Sequence, residues 1–118
     1  MDRKKIYDQE LEKLQKIFEN VEETKADLVQ GLISDAAFLK VENDFLKQSM
    51  RRTGMVKIHP DYPEMQKPTE AAKQYLKNAN TYSTVIKTLN SILNKSVLEE
   101  DDAFDEFINH WKKKKEAN

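Results

Sequence analysis

Arg51-Arg52-Thr53-Gly54-Met55-Val56-Lys57-Ile58-His59-Pro60-Asp61-Tyr62-Pro63 is the one place where two long helical patterns are forced apart. The stretch holds one of the chain's two glycines and two of its three prolines. Val56, Ile58 and Tyr62 favour extended backbone, so the preceding helix is expected to stop near Thr53. We read residues 53–68 as a joint. Pro68-Thr69-Glu70 then restarts a helix, with Pro68 suited to a first turn and Thr69 or Lys67 as the cap.

After the joint, Ala72, Tyr75, Ala79, Tyr82, Ile86, Leu89 and Leu93 alternate at spacings of three and four, which predicts a long helix from Thr69 to about Lys95. Before it, Leu28, Val29, Leu32, Ile33, Ala36, Ala37, Phe38, Leu39, Val41, Phe45 and Leu46 cover more than one stripe. The helix from Ala26 to Arg52 is therefore expected to touch partners on two sides and form the buried centre. Gly31 inside it costs about 1 kcal/mol relative to Ala, and points to a close helix contact or a bend. Thr24 with Asp27 three residues on reads as an approximate capping box.

Further out, Tyr7, Leu11, Leu14, Phe18 and Val21 draw one narrow apolar stripe on an N-terminal helix that needs a partner. At the other end Asn94-Lys95-Ser96 is expected to close the long helix. Glu99-Glu100-Asp101-Asp102 would then cap a last short helix carrying Phe104, Phe107, Ile108 and Trp111 on one face, closed by Lys112–Lys115. The expected fold is all-α: a long helical hairpin with an N-terminal helix and a short C-terminal helix. Residues 1–98 make a helical assembly domain and 99–118 an amphipathic tail. The tail's aromatics Phe104, Phe107 and Trp111 suit a groove on a partner, and equally a return onto their own bundle.

Charged residues make up 35 % of the 118 and apolar residues only 38 %, so the core must be thin. Long amphipathic helices of that kind bury their stripes against other copies, and Tyr75, Tyr82, Ile86, Leu89 and Leu93 form the seam expected to do so. No apolar run approaches the roughly 18 residues of a membrane span, and Met1-Asp2-Arg3-Lys4-Lys5 leads into no signal-peptide core. A soluble intracellular protein is expected. With no cysteine, disulfides and thiolate metal sites are excluded.

The residues mark no catalytic apparatus. Two glycines cannot build a phosphate loop, and His59 and His110 lie in no metal-ligand spacing. The acidic pairs Asp101/Asp105 and Asp102/Glu106 stand in a solvated charge run without the glycine of a calcium loop. A non-enzyme without metal or cofactor is expected. A formal net charge of −1 argues against a uniformly basic nucleic-acid binder, so phosphate contacts fall to local groups. These are Arg3, Lys4 and Lys5 at the start, Lys47, Arg51, Arg52 and Lys57 around the joint, and Lys112–Lys115 at the end. No recognition helix is evident that would read bases.

The order Ala36-Ala37-Phe38-Leu39-Lys40-Val41-Glu42, Thr53-Gly54-Met55-Val56-Lys57-Ile58-His59-Pro60, Ala71-Ala72-Lys73-Gln74-Tyr75 and Leu89-Asn90-Ser91-Ile92-Leu93 resembles the small subunits of bacteriophage terminases, in particular the short all-helical group of long-tailed phages and prophages. The acidic, aromatic tail Asp101-Asp102-Ala103-Phe104-Asp105-Glu106-Phe107 is similar too. Where that family commonly continues with Gly-Leu-Thr/Ser-Pro and an arginine, this chain reads Asn94-Lys95-Ser96-Val97-Leu98. The resemblance implies a ring-forming homo-oligomer in the host bacterial cytoplasm that recognises double-stranded phage DNA at the packaging site. It would hand that DNA to a terminase large subunit holding the ATPase and nuclease. Self-association, absence of a catalytic site and a dockable tail follow from the residues themselves; the DNA comes from the resemblance. A coiled-coil adaptor without nucleic acid, and a small helical enzyme, are the competing readings.

Overall fold

The computed structural model describes residues 2–116, with side chains described at 2–95 and 108–111. Helix α1 spans Arg3–Ile17, a 3-10 turn Glu23–Lys25, helix α2 Ala26–Thr53, strand β1 Val56–Ile58, strand β2 Gln66–Pro68 and helix α3 Glu70–Glu116. The chain is mostly helical, with α1 and α3 both laid along α2.

Asp2 caps α1, its carboxylate accepting the Lys4 amide at 3.0 Å. The narrow stripe docks as its spacing requires. Leu14 and Phe18 are buried, and Tyr7, Leu11 and Val21 pack beside them. The Arg3 guanidinium meets Glu42 at 3.5 Å and covers the Phe45 ring at 4.2 Å, Tyr7 and Ser34 share a hydroxyl hydrogen bond of 2.9 Å, and Gln15 donates to Gln30 at 3.1 Å. These pairings set α1 antiparallel to α2.

Thr24 does not cap α2 as expected. It lies inside the 3-10 turn, where the Lys25 amide already donates to the Glu22 carbonyl at 2.9 Å, and α2 starts from Lys25 without a side-chain cap. Asp27 keeps its place in the first turn, where the helix dipole favours a negative charge.

Helix α2 is the centre, as its doubled stripe requires. Val29, Ile33, Ala36, Ala37 and Val41 are buried, and Ile33 is wholly enclosed. Gly31 neither breaks the helix nor admits a neighbour: a Cβ built there would meet nothing within 4 Å. Asn43 is buried at 7 % exposure, with its Oδ1 unpartnered.

The stop at Thr53 is where the joint sequence places it, and Gly54 takes φ 81°, a left-handed region that other residues rarely enter. Thr69 starts α3. Its hydroxyl accepts the Ala72 amide at 3.2 Å and donates to the Gly54 carbonyl at 3.2 Å, tying the end of one helix to the start of the next. Pro68 lies in β2 rather than in the first helical turn: it stands opposite Val56, and the Thr69 amide next to it donates to the Met55 carbonyl at 2.9 Å, so the ladder does not call on the N–H that Pro68 lacks.

Helix α3 runs unbroken for 47 residues, through the expected stop at Asn94-Lys95-Ser96 and on into the C-terminal segment. That segment is helical as expected, but continuous with the long helix. Asn and Ser cost only a few tenths of a kcal/mol inside a helix, and no Gly or Pro stands there to end it. At ~1.5 Å per residue α3 reaches about 70 Å against about 42 Å for α2, so its last third projects past the α2 N-terminus.

The seam expected between copies faces α2 within one chain. Leu89 is completely buried, Tyr82, Ile86 and Leu93 pack against the same core, and the Tyr75 ring lies under the Lys47 ammonium at 5.8 Å. The molecule measures 89 × 33 × 18 Å with a radius of gyration of 22.7 Å, where a compact domain of this length has about 13–14 Å.

Candidate nucleic-acid interface

The joint is a β-hairpin at the tip of the α2–α3 pair. Val56 pairs with Pro68, Lys57 with Lys67 and Ile58 with Gln66 in antiparallel register. A ladder alternates its side chains, so Lys57 and Lys67 share one face while Val56, Ile58 and Pro68 share the other. Its seven-residue loop is pinned by His59. The Asp61 and Tyr62 amides donate to His59 Nδ1 at 3.1 and 3.3 Å, and the His59 and Tyr62 rings lie 5.2 Å apart. The Met65 amide donates to the Tyr62 carbonyl at 2.8 Å, and the His59 amide to the Met65 carbonyl at 3.0 Å. His59 is thus a structural residue of the joint, as its place before Pro60 implies.

On the cationic side Lys57 and Lys67 border an open cleft of about 480 Å³ with Ser49, Thr53 and Thr69, between the end of α2 and the start of α3. Glu70 also lines it, and its carboxylate is held by Lys73 at 3.3 Å. Arg51 and Arg52 stand exposed in the last turn of α2, where the helix dipole favours cations. Among the described residues Arg51, Arg52, Lys57 and Lys67 form no ion pair.

The other expected phosphate contacts divide. Lys47 is half-buried over Tyr75 and belongs partly to the α2–α3 packing. Lys4 and Lys5 are exposed at the start of α1. The Arg3–Glu42 pair puts that start about 16 Å along the axis from the end of α2, in the same half of the molecule as the hairpin. Lys112–Lys115 belong to the opposite end of α3, and their side chains lie outside the described residues. So do those of Phe104 and Phe107; Ile108 is partly covered and Trp111 is half exposed. Lys67, which the sequence suggests only as a possible cap, joins the cationic face. Its signal is the matching Val-Lys-Ile and Gln-Lys-Pro triplets, which place the two lysines opposite each other once the strands are paired.

No group of His, Cys, Asp and Glu among the described residues has the arrangement of a metal site, and no described helix is long and apolar enough to cross a membrane. These features define an extended all-α protein whose charged, two-faced hairpin caps one end. Compared with models of protein families, with curated proteins and with solved structures, the chain has no match.

Proposed function

We propose that the chain is a non-catalytic, self-associating component of phage genome packaging, of the terminase small-subunit kind, which holds double-stranded DNA by its phosphates and passes it to a large ATPase and nuclease subunit. The observation that carries this reading is the Lys57–Lys67 cross-strand pair. Like charges directly opposite on a ladder are destabilising, by an amount of the order of 0.2–1 kcal/mol, unless an anion lies between or over them. Arg51 and Arg52 extend the same charge along the helix end, and Ser49 lines the cleft beside it. Phosphate meets this charge, and backbone contact needs no element that reads bases.

A closed assembly multiplies such weak contacts by bringing many hairpins to one duplex. Duplex binding measured across a salt series tests the reading. The Lys57→Gln, Lys67→Gln double variant should bind more weakly and with a shallower salt dependence while keeping its native mass. No binding by the unaltered protein at low salt refutes the DNA role and leaves the adaptor.

A further inference from the structure

Among the described residues, most of the large apolar side chains left exposed gather in two places. Met55, Val56, Ile58, Tyr62 and Met65 stand on the hairpin. Leu28 and Phe38 stand on the outer side of α2, with Ile17 of α1 at the level of Leu28 by the pairing that joins Arg3 to Glu42. Leu28, Gly31, Asp35 and Phe38 recur at spacings of three, four and three, so they form one stripe, and all four are exposed. The faces of α2 that meet α1 and α3 are elsewhere. Gly31 gives this stripe a hollow: it weakens the helix by about 1 kcal/mol, and nothing within the chain uses the space it leaves.

We propose that the apolar face of the hairpin, Val56 and Ile58 with Pro68, docks on the Leu28–Gly31–Phe38 stripe of a second copy of this chain. The two patches cannot meet within one molecule. Phe38 and the end of the unbroken α2 are fifteen residues apart, about 22 Å, and the hairpin lies beyond that end. Charge points to the same pairing. The hairpin's flank carries Arg51 and Arg52, and the stripe carries Asp27 and Asp35, neither of them ion-paired among the described residues.

Because the patches differ, the contact is head-to-tail, the kind that closes into a ring or runs on as a filament. It leaves the Lys57–Lys67 face turned away from the neighbour. It also steadies the hairpin, since an isolated two-stranded ribbon is at best marginal in water.

This inference rests on the self-association of the proposed function and not on its DNA. The chain has no cysteine, so disulfide cross-linking in the absence of nucleic acid reads the contact directly. The full chain carrying both Ile58→Cys and Gly31→Cys should oxidise to a ladder of covalent trimers and higher species, whereas Ile58→Cys or Gly31→Cys alone should give little beyond monomer. Mixing the two single variants should give a hetero-dimer.

A Gly31→Cys variant that dimerises alone, with Ile58→Cys silent, would mean that the stripe meets itself and would overturn the proposal. So would a light-scattering mass of one chain with no ladder from the double variant. Intact cross-linking in a protein that fails to bind DNA would sink the packaging function and leave this contact standing.

Discussion

Replacing Lys57 and Lys67 together by Gln separates a phosphate-binding hairpin from a merely solvated one, because the two readings predict opposite combinations of effects. The Lys57–Lys67 pair is directly opposed across the ladder, so removing both charges should relieve repulsion and favour the hairpin by about 0.2–1 kcal/mol. If each lysine neutralises one phosphate, the same change should flatten the plot of log affinity against log salt by about 1.8, at about 0.9 per phosphate. Between about 50 and 200 mM salt, that difference in slope amounts to roughly a twelvefold smaller loss of affinity for each engaged copy. The assay is fluorescence anisotropy on a labelled duplex at several salt concentrations, with amide protection of residues 56–68 measured beside it. Lower affinity, a shallower slope and better protection together support the hairpin as the contact. An unchanged slope with better protection would refute it, since the charges would then have been removed without any counterion consequence.

Other perturbations probe the frame that carries the hairpin. Leu89→Ala empties a site with no exposure at the meeting of all three helices, and chemical denaturation should show a loss of about 2–5 kcal/mol. Asn43→Leu removes a buried acceptor that finds no donor, and should raise the denaturation midpoint, by an amount corresponding to about 1–3 kcal/mol. His59→Ala removes the acceptor of two amides, so the Asp61 and Tyr62 amides should lose hydrogen-exchange protection. His59→Asn, which keeps an acceptor at about that place, should lose less.

What the sequence made legible is what is decided locally. The glycine at 54 supplies the one left-handed backbone position among the described residues and stops α2 at Thr53, and the Thr69 hydroxyl reaches an amide three residues on, so both ends of the joint can be read residue by residue. The stripes of α1 and α3 likewise announce their buried faces, down to Leu14, Phe18 and Leu89. The strand pairing was not legible, since two three-residue strands separated by seven residues carry no tight-turn signal and depend on His59 folding the loop. Thr24 was misleading for a related reason. Its side chain suits a cap, but the backbone of Glu22–Lys25 closes its own turn first. The run of α3 past Ser96 shows the weakness of propensity as a stop signal: without Gly or Pro, a helix already nucleated along α2 continues.

The packing of α3 bears most on how copies would meet. A seam with three-four spacing fits a partner helix in the same chain or in another, and the periodicity is identical in both cases. The structure gives that seam to α2, down to the wholly enclosed Leu89, so contacts between copies would fall on other surfaces. The hairpin and the outer stripe of α2 are such surfaces, and neither has the length of a coiled coil. An assembly built on them would join copies through a small element held between a neighbour on its apolar face and phosphate on its cationic face. Binding of one would then favour binding of the other, because each ligand would order the same marginal ribbon before the second arrives.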